Sequence, residues 1–501
     1  MLKSTVPTYT PPAWTSAATG VNPGRHGVYG FIEGHAQHDH QELMHSGKIK
    51  SPTIWEIANA QDARVGVYNL PLTYPPRPLA GWMVSGMLTP GYGEQQRGFA
   101  SWDGSGGGSA LESKILEWAP GYVLDLHANY EQDWRDEGLA KRGLESIRQR
   151  RDVLKGLLEL DPPDIVFTVL EAPDRLQHVY YRYMDPRDPL HSSSEAARVL
   201  PLITECFQTM DEIVGLLHDY AGSGGAFVCS DHGFTAWEVS VHTNALLQQW
   251  GYLKLKSSAR AMQTGVARAL VPLAKRVLPR KVAREAKGRT FAAIDWSQTQ
   301  AFASPIPQQG IFVNLKGREQ FGVVEPDRLQ SLKEEIAERF KTLTGPEGDS
   351  VTDKVWLSEE VFSGNALDGA PDVLPVLRDH RFELDDELFH TDGFTDYRDL
   401  PRGVHHPDGI GIVAGSGVQG DAELNGSVMD VTPTILYMAG LEVPKGLDGR
   451  VLESCFTPER LAEKPVRTTA PLSSKQSEEE SPYSAEEEAM IEESLRGLGY
   501  L

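Results

Sequence analysis

Short runs of apolar residues alternate along the chain with longer amphipathic segments. Each run is apolar at consecutive positions, a pattern typical of parallel strands covered on both faces; the runs are 65–70, 165–170, 226–229 and 410–413. Segments with helical periodicity separate them, at 51–61, 139–160 and 201–220. This alternation predicts a layered α/β fold with a largely parallel sheet, in which ligands bind at the carboxyl ends of the strands.

The pattern changes between residues 240 and 390, which we interpret as a cap or insert. Segment 254–289 holds eleven Lys or Arg and a single Glu in an otherwise acidic chain, and its apolar positions favour an amphipathic helix broken near Pro279. A solvated helix face is the preferred interpretation, and weak contact with an anionic substrate or membrane surface is the alternative. The predicted units are a catalytic core (1–239 and 391–462), the cap (240–390), a polar linker (463–484) and a C-terminal helix and tail (485–501).

Composition limits the classes of function. Of the 501 residues, 40% are hydrophobic, as in a globular protein. A net charge of −22 argues against nucleic-acid binding, because the phosphate backbone would be repelled, although a metal ion can still attract an anionic substrate. No apolar run approaches the ~18 residues of a membrane helix. The scattered Cys206, Cys229 and Cys455 form neither a disulfide framework nor a thiolate metal site, so we predict a cytoplasmic protein.

Two segments with candidate metal ligands follow predicted strands. Asp231 and His232 come directly after the third apolar run, where a carboxylate and an imidazole can hold one cation. Asp174 and His178 follow the second run and are four residues apart, so on a helix they face the same way. The simpler alternatives are a turn with a capping aspartate for the first pair and a surface pair for the second.

Two further segments hold a histidine pair and a row of hydroxyls. His405 and His406 precede the fourth apolar run, and one of them could complete a site with three protein ligands and an open position. Segment 8–20 combines prolines with Thr and Ser, which predicts a loop entering a helix. A threonine hydroxyl at such a helix start would be stabilised as an alkoxide. Taken alone, each segment is equally compatible with a structural role.

Together, in this order and spacing, the four segments resemble the type I phosphodiesterase/nucleotide pyrophosphatase family of the alkaline phosphatase superfamily. The likeness is particularly close to bacterial alkaline-phosphatase-type phosphohydrolases and phosphomutases, and it covers nearly the whole chain. Further matching segments are 69–76, 294–297, 314–318, 430–434 and the ending 498–500. The resemblance implies a three-layer α/β/α fold with a cap and a metal-dependent hydrolase of small-molecule phosphate esters.

The resemblance also implies particular roles for residues of this chain. Two divalent ions are expected, zinc first, with manganese or iron as alternatives. The first ion would be held by Asp174, His178 and His405, and the second by Asp231 and His232. The nucleophile would be Thr10, which forms a phosphothreonine intermediate; Thr8 and Thr15 are its rivals. The substrate-binding residues are not implied.

The chain departs from the family pattern in two ways. Relatives carry a strand ending in Asp-Gly some forty residues before the nucleophile, and here that first strand is missing. We therefore expect either a truncated chain or a second metal that binds poorly. Relatives that process nucleotides have Asn three residues after the nucleophile, where this chain has Ala13. The alternatives to a phosphodiesterase are a phosphomonoesterase or phosphomutase, and a truncated or degenerate member without catalysis.

Overall fold

A computed structural model of the protein describes nine stretches of the chain, namely residues 1–33, 42–91, 97–130, 132–260, 291–304, 310–390, 392–420, 422–473 and 481–499. Within them the α-helices are Thr10–Thr19, Pro23–His26, Ile54–Asn59, Gly107–Trp118, Gly138–Leu160, Ala172–Met184, Ser194–Ala221, Thr243–Gln249, Ser257–Arg260, Leu329–Lys341, Ser358–Val361, Val431–Met438, Pro458–Glu463 and Ala485–Gly497. The longer strands are Val65–Leu70, Gly81–Ser85, Ala100–Trp102, Ile165–Thr168, Ala226–Cys229, Gly233–Ala236, Val239–His242, Ala301–Ala303, Ile311–Val313, Thr352–Leu357, Val373–Leu377, Phe382–Asp385, Phe394–Asp396, Gly403–His406 and Gly411–Ala414. Two-residue strands are Leu2–Lys3, Ile32–Glu33, Glu42–Leu43, Asp408–Gly409, Gly426–Ser427, Val443–Pro444 and Thr468–Thr469.

The central strand Val65–Leu70 is buried along its whole length and pairs in parallel with a strand on each side. Its two faces belong to different hydrophobic clusters: Tyr68 packs with the long helices on one side, whereas Val65 and Val67 pack with the N-terminal helices on the other. A sheet covered on both faces by helices is a three-layer arrangement. The predicted α/β class is therefore confirmed, and the strand predicted at 65–70 is observed with the same bounds.

The prediction of buried parallel strands at 226–229 and 410–413 is wrong in its details. Ala226–Cys229 is half-buried and pairs antiparallel with Gly411–Ala414. Ile410 and Ile412 are 57% and 55% exposed, so only one face of this ribbon is packed. Uninterrupted apolar sequence thus marked a strand correctly but gave neither its direction nor its burial, because both depend on the neighbouring strand.

The region predicted as a cap has a sheet and a hydrophobic cluster of its own. Four strands pair antiparallel in the order 301–303, 311–313, 373–377 and 352–357. Phe302, Phe312 and Phe340 are central to its cluster, which includes the helix Leu329–Lys341. The domain boundaries remain a prediction, and residues 261–290 of the basic segment lie outside the described residues.

The three cysteines are free, as the sequence predicts. A search of the described helices finds none with the length and apolar character that a bilayer crossing requires. The predicted C-terminal helix is observed over Ala485–Gly497.

Candidate metal centre

Asp231 and His232 lie in the turn between the strands Ala226–Cys229 and Gly233–Ala236. The residue after them has to be glycine, because a Cβ at Gly233 would lie 2.1 Å from the carbonyl oxygen of Asp408. This close approach fixes the turn against the short strand Asp408–Gly409. Both side chains of the Asp-His pair are buried.

Asp174 and His178 lie one turn apart on the helix Ala172–Met184, as predicted. The start of this site helix is fixed by Glu171, whose carboxylate accepts hydrogen bonds from the buried Arg150 at 2.8 Å and from Asn69 at 2.7 Å. Arg150 in turn comes from the neighbouring helix Gly138–Leu160. Because the ion pair has little contact with water, breaking it would leave an uncompensated charge in the core.

His405 lies inside a strand of its own, which precedes the strand Gly411–Ala414 along the chain. The strand Gly403–His406 pairs antiparallel with Gly233–Ala236, and this places His405 opposite Phe234. A Cβ at Gly403 would meet the carbonyl oxygen of Gln177 at 2.7 Å, so the strand approaches the site helix closely. His406 contacts Asp379 at 3.2 Å and is not in the cluster.

Three of the predicted ligands converge on a carboxylate oxygen of a fourth. Asp174 Oδ1 lies 3.6, 3.7 and 3.5 Å from the Nε2 atoms of His178, His232 and His405, listed in that order. The Nε2 atoms of His178 and His405 are 2.8 Å apart. Asp231 Oδ2 lies 3.2 Å from His232 Nε2 and brings the fifth predicted ligand to the same place.

The hydrogen bonds on the far side of each ring define the histidine tautomers. The Nδ1 atoms of His178, His232 and His405 face the backbone carbonyls of Gly403 (3.3 Å), Gly233 (3.2 Å) and Thr8 (3.2 Å), respectively. A carbonyl oxygen can only accept, so each neutral ring carries its proton on Nδ1. All three Nε2 atoms therefore turn a lone pair toward the carboxylates.

Burial favours the neutral form of two of the imidazoles. It lowers the pKa of His232, and it lowers that of His178 to well below the ordinary value. For Asp174, burial acts to raise the pKa, but the surrounding groups, among them the Arg175 guanidinium, outweigh it and hold the pKa well below its usual range. Burial, together with the charge of Asp174, raises the pKa of Asp231 to about 8.

This donor set fits a divalent cation. Asp174 Oδ1 and Asp231 Oδ2 are buried, and neither makes a hydrogen bond with the described residues. Ligand atoms of Asp174, His232 and His405 all lie within 4.8 Å of one another. Lone pairs of the Nε2 atoms and of Asp174 Oδ1 that face one another repel, and a metal ion removes the repulsion. Imidazole nitrogens combined with carboxylate oxygens suit zinc, and also iron or manganese.

Thr10 is the first residue of the helix Thr10–Thr19, and its hydroxyl lies beside this cluster. Its Oγ1 is 3.4 Å from His232 Nε2, and the residue is buried. Thr8, the first rival, donates its hydroxyl to the carbonyl of Thr5 and offers its own carbonyl to His405. Thr15, the second rival, lies more than one turn along the helix from Thr10.

Sequence reasoning missed Arg175, which adjoins Asp174 and is almost fully buried. It donates to Asp174 Oδ2 at 2.6 Å, so one oxygen of that carboxylate is held while the other faces the cluster. An arginine next to a candidate ligand carries no signal of its own, because most such arginines are exposed. The carbonyls of Thr8 and Gly403 were equally invisible, since backbone groups have no residue-type signature.

Solved structures with the same overall arrangement support the fold. Phosphonoacetate hydrolase from Sinorhizobium meliloti 1021 superposes with a TM-score of 0.51 both in complex with phosphonoacetate, at 16% identity, and with phosphonoformate, at 15% identity. Each alignment covers 87% of this chain and 86% of that one. The alkaline phosphatase PafA gives a TM-score of 0.47 at 12% identity, over 91% of this chain and 92% of its own. At 15–16% identity, the superpositions on phosphonoacetate hydrolase show a shared fold.

The family follows from the sequence match. Residues 1–380 match the family model described as type I phosphodiesterase / nucleotide pyrophosphatase. The chain belongs to this family, and by that membership it is a phosphoric ester hydrolase. No curated protein matches the chain.

Proposed function

We propose that the protein is a metal-dependent hydrolase of small-molecule phosphate esters that uses Thr10 as its nucleophile. The observation that carries this proposal is the convergence of three Nε2 lone pairs and two carboxylates beside the Thr10 hydroxyl. Such a site needs a cation to be stable, and a cation beside a hydroxyl is the arrangement required for phosphoryl transfer. The predicted family chemistry and the geometry therefore point the same way.

Two divalent ions, zinc in the first instance, would be held by the five predicted ligands. Asp174, His178 and His405 are assigned to one ion, and Asp231 and His232 to the other. Because Asp174 and His232 are also close to each other, they would lie at the boundary between the two ions. The ions would supply positive charge to stabilise the threonine alkoxide and the leaving oxygen.

In the proposed reaction Thr10 Oγ1 attacks phosphorus, and the P–O bond to the leaving alcohol breaks. The threonine loses its proton, the leaving alkoxide takes up a proton, and a phosphothreonine remains. Water then attacks the same phosphorus, which restores the threonine hydroxyl and releases the phosphate product. The two displacements give net retention at phosphorus. The start of the helix Thr10–Thr19 adds favourable partial charge to the alkoxide.

The test combines metal counting with two substrates. Metal per purified chain is measured by elemental analysis, and hydrolysis of bis(4-nitrophenyl) phosphate is compared with that of 4-nitrophenyl phosphate. We expect one to two metal ions per chain, activity that is lost on chelation and restored by zinc, and preference for the diester. Preference for the monoester would favour the phosphatase alternative. A chain that binds no divalent ion and cleaves neither ester would refute the proposal and support a degenerate member.

A further inference from the structure

The C-terminal segment, residues 483–499, packs against the layer of the core that contains the candidate metal centre. Ile491 and Leu495 of its helix, and Leu498 directly after it, are buried in the same hydrophobic cluster as the site helix. Tyr483 anchors the other end, where its ring stacks on Tyr74 with centroids 5.4 Å apart and its hydroxyl donates to the Leu88 carbonyl at 3.1 Å. The segment is thus docked at both ends.

The end of this helix holds the backbone of Tyr130. The Tyr130 N–H donates to the Gly497 carbonyl at 3.0 Å. The contact is close, because a Cβ at Gly497 would lie 2.8 Å from the carbonyl oxygen of Ala128. From the opposite side the buried Arg402 donates through Nε to the Tyr130 carbonyl at 3.0 Å. Both backbone groups of Tyr130 are therefore held by parts of the chain that are distant in sequence.

The Tyr130 ring in turn covers a predicted ligand. It stacks on the His178 imidazole with centroids 4.5 Å apart and an interplanar angle of 27°. The His178 Nδ1–H bond to the Gly403 carbonyl fixes one edge of that imidazole, and the tyrosine ring fixes its plane. Together these contacts determine where Nε2 points.

A second connection leads from the same docked region to Asp174. The stretch 121–125 and the C-terminal residues Ile491 and Leu495 line one cavity of about 110 Å³. From this stretch Asp125 accepts from Arg175 at 3.3 Å, and Arg175 donates to Asp174 at 2.6 Å. Both candidate ligands of the site helix are consequently braced from residues 121–130, which the C-terminal helix covers.

We propose that Tyr130 is a positioning residue for the metal centre and that the C-terminal helix holds it in place. This inference rests on the proposed function, because it assumes that His178 binds a metal ion. Groups that orient a metal ligand without touching the metal commonly change metal affinity by 10–100-fold when they are replaced. Loss of the Tyr130 ring should therefore weaken metal binding without removing any ligand.

The first experiment compares Tyr130→Leu with the conservative variant Tyr130→Phe. The dissociation constant for zinc is measured by competition with a chelator, alongside the unfolding midpoint of each metal-free protein. Tyr130→Leu should bind zinc about 10–100-fold more weakly than the wild type, and Tyr130→Phe should retain the wild-type constant because it keeps the ring. Equal affinity in Tyr130→Leu and the wild type would overturn the proposal.

The second experiment tests the role of the C-terminal helix and remains decisive if Tyr130→Leu does not fold. Leu495→Ala removes a buried contact of the docked helix, and Met490→Ala on the same helix removes a side chain that is 38% exposed. Leu495→Ala should weaken zinc binding by about tenfold, the lower end of the range for outer-shell changes. The Met490 variant should not change zinc affinity.

If Leu495 has only a structural role, Leu495→Ala will lower the unfolding midpoint of the metal-free protein and leave zinc affinity unchanged. That result would overturn the proposal that the C-terminal helix holds Tyr130 in place. The wild type separates this inference from the proposed function. If the wild type binds no zinc, the proposed function and the role of Tyr130 are both refuted. If the wild type binds zinc and the variants bind it equally well, only the role of Tyr130 and the C-terminal helix is refuted.

Discussion

Buried histidines in two parts of the molecule differ in how their ring nitrogens are used. In the region predicted as a cap, His242 lies at the end of the strand Val239–His242 and is almost completely buried. Its Nδ1 contacts the Asp385 carboxylate at 2.8 Å, and its Nε2 contacts the Thr395 hydroxyl at 2.8 Å. The ring thus bridges two strands that flank its own.

In the candidate metal centre the two nitrogens of each imidazole face different kinds of partner. The Nδ1 atoms bond to carbonyls, and the Nε2 atoms face one another and Asp174, all of which are acceptors. Burial of a histidine therefore says little about metal binding, since His242 is as buried as His405. The informative feature is the convergence of several acceptor atoms on one place, because a cation can satisfy all of them together.

The largest expected effect is that of Thr10→Ala, which removes the proposed nucleophile and keeps the ligands. Turnover should fall by at least about 10³-fold, as when other covalent nucleophiles are removed, while metal content stays at the wild-type value. Steady-state hydrolysis and elemental analysis check the two halves. Thr15→Ala, on the same helix, is the matched control and should retain activity. Full turnover in Thr10→Ala would assign the nucleophile to another hydroxyl.

His405→Ala should have the next largest effect, because it removes a ligand from the centre of the cluster. We expect the loss of about one metal ion per chain, since two protein ligands hold an ion poorly. His406→Ala provides the control, because that side chain contacts Asp379 and not the cluster. Elemental analysis of both variants decides the assignment. An unchanged metal count in His405→Ala would contradict it.

Replacing His242 tests the other side of the comparison. His242→Phe should lower the free energy of unfolding by about 2–3 kcal/mol, because it leaves Asp385 and Thr395 without a buried partner. Metal content should be unchanged. Denaturant unfolding with and without zinc measures both effects. The increase in the free energy of unfolding on saturation with zinc should equal that of the wild type. Loss of that increase would mean that His242 takes part in metal binding.

The smallest expected effect concerns the buried His26, whose contribution to the free energy of unfolding depends on pH. Burial lowers the pKa of His26 to about 3, whereas the unfolded chain binds the proton below about 6.5. The neutral ring therefore contributes stability above pH 6.5, and that stability is lost as the pH falls toward 3. From pH 6.5 to pH 5 the loss is about 2 kcal/mol.

Unfolding of the wild type and of His26→Gln at pH 7 and pH 5 measures this loss. The stability difference between the two proteins should shrink by about 2 kcal/mol on acidification, because the variant has no proton to bind. A difference that is independent of pH would show that His26 is not held neutral. In that case burial would not account for the lowered pKa values of His178 and His232 either.

Local pattern was sufficient for much of the fold and for the ligand pairs that are close in sequence. The strand at 65–70 and the helix near 139–160 were predictable because both depend on the periodicity of neighbouring side chains. The spacing of Asp174 and His178 is likewise a property of one helical turn. The strand at 411–414 was harder, because its antiparallel direction is decided by its partner at 226–229.

The amino-acid sequence was enough to identify the candidate metal ligands, the element that carries each short-range pair, and the α/β class. The three-dimensional packing was needed to show that His178 and His405, 227 positions apart, bring their Nε2 atoms to 2.8 Å, and that Thr10 lies beside His232, 222 positions away. The backbone carbonyls that face the Nδ1 atoms and the stacking of Tyr130 on His178 likewise depend on this packing. Side-chain periodicity acts over one or two turns, whereas convergence requires strand pairing and close packing between distant segments.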